Sequence, residues 1–176
     1  SSHRTLFKDA VYRFSRNRLA MVGLVIVIFF LFLAVFADFL APHPYDKPYF
    51  DRVLRFPFDH PAHPLGTDEV GRDYLSRLIY GARTSMTVGI AVQIVAVLIG
   101  VPLGGLAGYA GGRTDFIISR FIDIMTAFPG LMFSILVISV WGGGLYKVIF
   151  ALSITSWIGI ARLTRGQIMS LREKEY

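Results

Sequence analysis

The chain has no cysteine. Disulfides, thiol nucleophiles and Cys-ligated metals are therefore excluded across its 176 residues. It also lacks a G-x-x-x-x-G-K-[ST] loop, so ATP is not expected to bind here by that device. Gly142-Gly143-Gly144-Leu145-Tyr146-Lys147 is like that loop in composition only. Neither G-x-S-x-G nor H-E-x-x-H occurs. Asp115 and Asp123 do not fall on two facing apolar helices in any readable pattern, which argues against an intramembrane protease. No catalytic residue, cofactor or metal is assigned, and the chain is not expected to be an enzyme. Acidic residues are few, 12 against 18 Lys and Arg. In a soluble chain the net charge of +6 would raise nucleic acid as a partner. Here the basic residues cluster beside apolar runs, so the positive-inside effect explains them and no nucleic acid is expected.

What the chain has in quantity is apolar length. Hydrophobic residues make up 54% of it, and they come in long unbroken blocks. That pattern decides for an all-α membrane protein, a polytopic transmembrane helix bundle, over a soluble core. Residues 1–18 form a basic N-terminal segment with Arg4, Lys8, Arg13, Arg16 and Arg18 against Asp9. They read as a cytoplasmic anchor or as a helix lying along the membrane surface. Residues 19–37 carry no charge until Asp38 and form the first span, too long for a cleavable signal peptide.

Residues 38–83 are the first external segment. Six prolines between Pro42 and Pro64 keep its first half extended or turning. His43, His60 and His63 lie here, with Asp59 beside His60. His-x-x-His is a conceivable metal pair, but no third ligand is evident, and ordinary loop histidines are the simpler reading. An amphipathic helix is expected near 67–82, capped by Thr67, with Val70, Tyr74, Leu75, Leu78 and Ile79 on one face.

Residues 84–109 form the second span. Gly100, Gly104 and Gly108 recur at spacing four and share one face, which lets another helix approach closely. Pro102 should kink or loosen this helix. A turn at 111–115 precedes Arg120 and Asp123, which are three apart and can pair at the start of a third span, 123–141. They are an interfacial anchor, or a polar contact at the mouth of a path. Phe128-Pro129-Gly130 interrupts that span. Residues 145–161 form a short fourth span, which Arg162 and Arg165 end on the cytoplasmic side. Residues 162–176 continue as a basic amphipathic helix. The sequence begins at Ser1 and stops inside a helical pattern at Tyr176, as a piece cut at its C-terminus would.

Three stretches carry a resemblance: LGTDEVGRDYLSRLIYGARTSMTVG, GYAGGRTDFIISRFIDIMTAFPGLMFSILV and ARLTRGQIMSLREKEY. Together they resemble the permease subunits of ABC importers of the dipeptide, oligopeptide and nickel class, specifically the C-type subunit. The resemblance implies a six-helix permease, of which four spans are present here. It implies a homologous second permease subunit, two cytoplasmic ATP-binding subunits, an external solute-binding protein and a bacterial or archaeal cytoplasmic membrane. The family's Glu-Ala-Ala coupling motif and its glycine would follow Tyr176, with Arg162, Arg165, Glu173 and Glu175 as lead-in. Peptides are the implied cargo, with nickel chelates and glutathione-like compounds open. The other reading is a non-transporting scaffold or a channel subunit of similar topology, distinguished by absence of that coupling motif.

Overall fold

The computed structural model describes residues 6–174, and the chain divides into two compact units between Met86 and Thr87. No strand occurs among the described residues, only two isolated bridges.

The first unit opens with α1, Leu6–Arg16, and α2, Arg18–Val35. Asn17 separates them because its backbone is extended, at φ −85° and ψ 106°. Its side-chain oxygen accepts the N–H groups of Leu19 and Ala20 at 3.1 and 3.2 Å, satisfying two donors that the first turn of α2 leaves free. The 18 residues of α2 extend about 27 Å, close to a bilayer core, and none is buried within the unit. A short helix, α3, Ala37–Leu40, follows. Arg83 closes the end of α2. Its Nε donates to Ala34 O at 2.7 Å, and its guanidinium meets Asp38 at 3.0 Å. A cation here satisfies carbonyls that have no partner inside the helix.

The loop that follows contains one 3₁₀ turn, Phe50–Arg52, and folds on two glycines. Gly66 and Gly71 have φ of +80° and +82°, and a Cβ on either would run into the backbone of Arg55 or Tyr49. Both close approach and backbone conformation therefore demand glycine there.

A helix starting at Thr67 does not form. The next helix, α4, is Tyr74–Ala110. Thr67 Oγ1 is committed elsewhere: it donates to Arg52 O and accepts Arg55 N–H. Asp68 instead folds a turn, accepting N–H from Val70 and Arg72. Asp73 caps α4 by accepting Ser76 N–H at 3.0 Å. A second difference is continuity. The amphipathic stretch and the second span are one helix of 37 residues, about 55 Å long, with Pro102 inside it. The division between the two units falls within α4.

The second unit holds the rest of α4 with α5 (Gly112–Ala127), α6 (Gly130–Trp141) and α7 (Leu145–Lys174). Its core is Ala96, Ile122, Trp157, Ile158 and Ala161, with Leu103, Ile118, Met125 and Ile160 packed on them. The third span, expected over 123–141, is not one straight helix. Helix already starts at Gly112, and α5 and α6 meet at a bend of 69°. Pro129 cannot donate to the preceding turn, so the helix breaks there, and α6 alone covers only about 18 Å. Three helices, α2, α4 and α7, are long and apolar enough to cross a membrane, or four spans if the bent pair counts as one. The expected fourth span at 145–161 runs without interruption into the basic segment, as a single helix of 30 residues.

Candidate functional site

The site is built where α7 lies against α4 and α5. Small residues create the approach. A Cβ on Gly100 would lie 2.7 Å from Trp157 O, and one on Gly104 would lie 2.9 Å from Ala161 Cα. One on Gly108 would lie 2.8 Å from Arg165 O and 3.0 Å from Ile168 Cβ. Partners therefore rise together by fours, 100 with 157, 104 with 161, 108 with 165, so the two helices run in the same direction. Backbone against backbone at this separation is the small-residue packing available to helices in lipid.

That approach brings the basic face of α7 to the polar ends of its neighbours. Arg165 makes a forked pair with Asp115: Nε donates to Oδ1, and Nη2 to Oδ2 at 2.7 Å. Ser119 also donates to Asp115 Oδ1, at 3.1 Å. Arg162 Nη2 donates to Thr126 Oγ1 at 2.9 Å and lies 3.7 Å from Asp123. Asp123 is shared, since Arg120 Nη1 meets its other oxygen at 3.3 Å. Further along α7, Arg172 donates to Tyr109 O at 3.1 Å, satisfying a carbonyl at the end of α4. Ser119, Ile122, Asp123, Arg162 and Arg165 line an open cleft of about 350 Å³. Three arginines of one helix thus fasten α7 to α5 twice and to α4 once. Both carboxylates of the cluster, Asp115 and Asp123, are thus held in ion pairs with arginine.

Of the residues singled out in the sequence, Gly100, Gly104 and Gly108 all face α7, and Arg120, Asp123, Arg162 and Arg165 lie in one cluster. Glu173 borders a smaller gap with Arg172 and Asp115. Glu175 lies outside the described residues. Asp115, Thr126 and Arg172 were not singled out as site residues. Their partners are 50, 36 and 63 residues away, beyond any periodicity. The available signal was a charge at the edge of an apolar run, which needs a counter-charge.

The first unit holds a second polar cluster. His63 and Asp73 are both fully buried, and His63 Nδ1 donates to Asp73 Oδ1 at 3.0 Å. Asp73 Oδ2 accepts Ser76 Oγ–H at 2.6 Å, and Ser76 Oγ accepts His43 N–H at 3.1 Å. His43 Nε2 donates to Ala62 O at 2.7 Å, and Tyr49 donates to His43 Nδ1 at 3.2 Å. Burial pushes the Asp73 carboxyl upward, but hydrogen bonds from Ser76 and His63 outweigh it and hold the group below the usual range. The His60 ring is outside this side-chain network: its Nδ1 accepts Ala62 N–H at 3.1 Å, while its backbone O accepts His63 N–H at 3.0 Å. Asp73 supplies the third potential ligand that sequence reading did not find, since donor atoms of His43, His63 and Asp73 lie within 4.8 Å of one another. Every one of those atoms except His63 Nε2 is already hydrogen-bonded, so a metal would have to displace the network. The cluster reads as a lock between the loop and the start of α4.

Comparison with known proteins accounts for most of the chain. Residues 5–58 match the N-terminal TM domain of oligopeptide transport permease C, and residues 100–176 match the binding-protein-dependent transport system inner membrane component. The oligopeptide transport system permease protein OppC of Bacillus subtilis is 41% identical over 98% of this chain and 56% of its own length. The dipeptide transport system permease protein DppC of the same organism is 41% identical over 96% of this chain and 52% of its own. The glutathione transport system permease protein GsiD of Pectobacterium atrosepticum is 36% identical over 99% of this chain and 58% of its own. The chain spans about half the length of the curated relatives it matches.

Proposed function

Because the chain belongs to the family of binding-protein-dependent inner-membrane transport components, in its oligopeptide permease C branch, we propose that it is the permease subunit of an ATP-driven importer of peptides or related small solutes. The reading is carried by one observation: 41% identity to a peptide permease extends over 98% of the chain. The proposed assembly has a homologous second permease subunit, two ATP-binding subunits on the cytoplasmic face and an external solute-binding protein. It sits in the cytoplasmic membrane of a bacterium or archaeon, with the N-terminus inside.

In this mechanism ATP closes the nucleotide subunits, they displace the cytoplasmic end of α7, and the spans rock between two states. The Asp115–Arg165 fork and the Asp123–Arg162 contact would make α5 follow α7. The glycine ridge would make α4 follow it too. Arg120 and Asp123 are half-exposed at the rim of the cleft and are available to a partner or to the path. The permease performs no covalent step.

The test is purification of the complete protein through a tag, after co-expression with its neighbouring genes. A second permease and two ATPases should come down with it, and hydrolysis should rise when the solute-binding protein and its peptide are added. A subunit that purifies alone and inert under mild conditions would favour a scaffold or channel.

A further inference from the structure

Helix α1 has an apolar face that nothing in its unit covers. At about 100° per residue, Leu6, Phe7, Ala10, Val11 and Phe14 fall within an arc of about 140°. Lys8, Asp9, Tyr12, Arg13, Ser15 and Arg16 fill the rest of the circle. None of the 11 residues is buried. Leu6 is 91% exposed, Phe7 78%, Val11 50% and Phe14 45%. A soluble helix with this face free would be poorly placed in water, since each such side chain favours an apolar environment by about 1.5–3 kcal/mol.

Position says what the face meets. Asn17 alone separates α1 from α2, whose 18 residues have a mean hydropathy of 2.8. The C-terminus of α1 is therefore held at the boundary of an apolar span. With 11 residues, about 16 Å, α1 is too short to cross a bilayer itself. A helix that is apolar on one side, polar on the other and tied to that boundary settles in the plane of the interface. Charge names the lipid. Lys8, Arg13, Arg16 and Arg18 stand against Asp9 alone. Lys8 and Arg13 lie toward the two borders of the polar arc, at the level headgroups occupy. Arg16 is held on the polar side by its Nη1–H donated to Tyr12 Oη at 3.1 Å.

We propose that α1 is an in-plane interfacial helix that sinks Leu6, Phe7, Val11 and Phe14 among acyl chains and pairs Lys8, Arg13 and Arg16 with anionic phospholipid headgroups. The proposal rests on α2 lying in a bilayer and is independent of what the protein transports. Its function is to fix the depth and rotation of α2 from the N-terminal side.

The native chain has no cysteine, so single-cysteine labelling is direct. The complete protein is reconstituted in vesicles of phosphatidylcholine alone, or with about a third phosphatidylglycerol. A fluorophore is placed at Val11→Cys or at Asp9→Cys, about 160° apart around the helix. Lipid carrying a shallow acyl-chain quencher should quench the first, and an aqueous quencher the second. Phosphatidylglycerol should raise the lipid quenching at Val11→Cys by roughly twofold or more at low salt. Adding Arg13→Glu and Arg16→Glu should remove that increase. Equal quenching at both positions would overturn the in-plane orientation. Protection of Val11→Cys from both quenchers would mean that protein covers the face, and would also overturn it. Insertion indifferent to phosphatidylglycerol would overturn the assignment to anionic lipid.

Discussion

Arg165 and Asp115 form a fork that charge alone does not explain. Two parallel N–H···O bonds need the planar guanidinium, and a lysine ammonium of equal charge offers a single point of contact. Arg165→Lys should therefore lose most of what Arg165→Ala loses. Both side chains are about a fifth to a third exposed, so solvent screens part of the attraction. The loss should be about 1–2 kcal/mol, read as a fall in the thermal midpoint of the purified protein. The exchange Asp115→Arg with Arg165→Asp should recover part of it, and a double variant no better than the singles would deny the pair its role. Asp73 presents the opposite setting, a fully buried acid with three donors. Asp73→Asn should destabilise the first unit by about 1–3 kcal/mol. Its carboxyl lies below its unfolded value, so its contribution is complete above about pH 4 and disappears as pH falls through the folded value. Proteolysis of the 41–73 loop should quicken in that acid window for the native protein, and the variant should show no such acid step from this group.

Helix contact is where glycine matters at the next scale. A Cβ at position 104 would sit 2.9 Å from Ala161 Cα, with no flexible side chain there to yield. Gly104→Leu should force α4 from α7 and lower the yield of assembled complex severalfold, measured by size-exclusion chromatography after tag purification; Gly104→Ala should do so to a smaller degree. Normal assembly of the leucine variant would refute close packing as the function of this face. The ridge could be singled out in advance because spacing four is a local property of one helix. Its partner could not, because nothing in Trp157, Ala161 or Arg165 marks them as opposite it. The helix boundaries failed for a related reason. Thr67 has the chemistry of a cap, but Arg52 and Arg55 claim its hydroxyl, and those residues reach it only through the fold of the loop. The break at Phe128-Pro129 was readable because proline's missing donor acts on its own helix, while the bend of 69° was not.

For the whole chain, composition carried the architecture: charge-free runs at 19–37 and 84–109 lie within or beside α2 and α4 as observed. Orientation belongs to this scale too, since no single contact sets it. Residues 38–83 carry six Lys and Arg against seven Asp and Glu, so the basic tail decides. Lys8, Arg13 and Arg16 precede α2 and Arg18 opens it, and translocating four cations against the positive-inside preference is disfavoured. Both faces of that argument can be read from the first unit alone. Ser15→Cys lies before the span and His60→Cys after it. His60 is half-buried in the loop, outside the Asp73 network, so a thiol there should be tolerated and reachable. In intact cells a membrane-impermeant maleimide, applied from outside, should label His60→Cys and leave Ser15→Cys untouched. After permeabilisation Ser15→Cys should label as well. The inverse pattern would place the N-terminus outside and overturn the orientation proposed for α2.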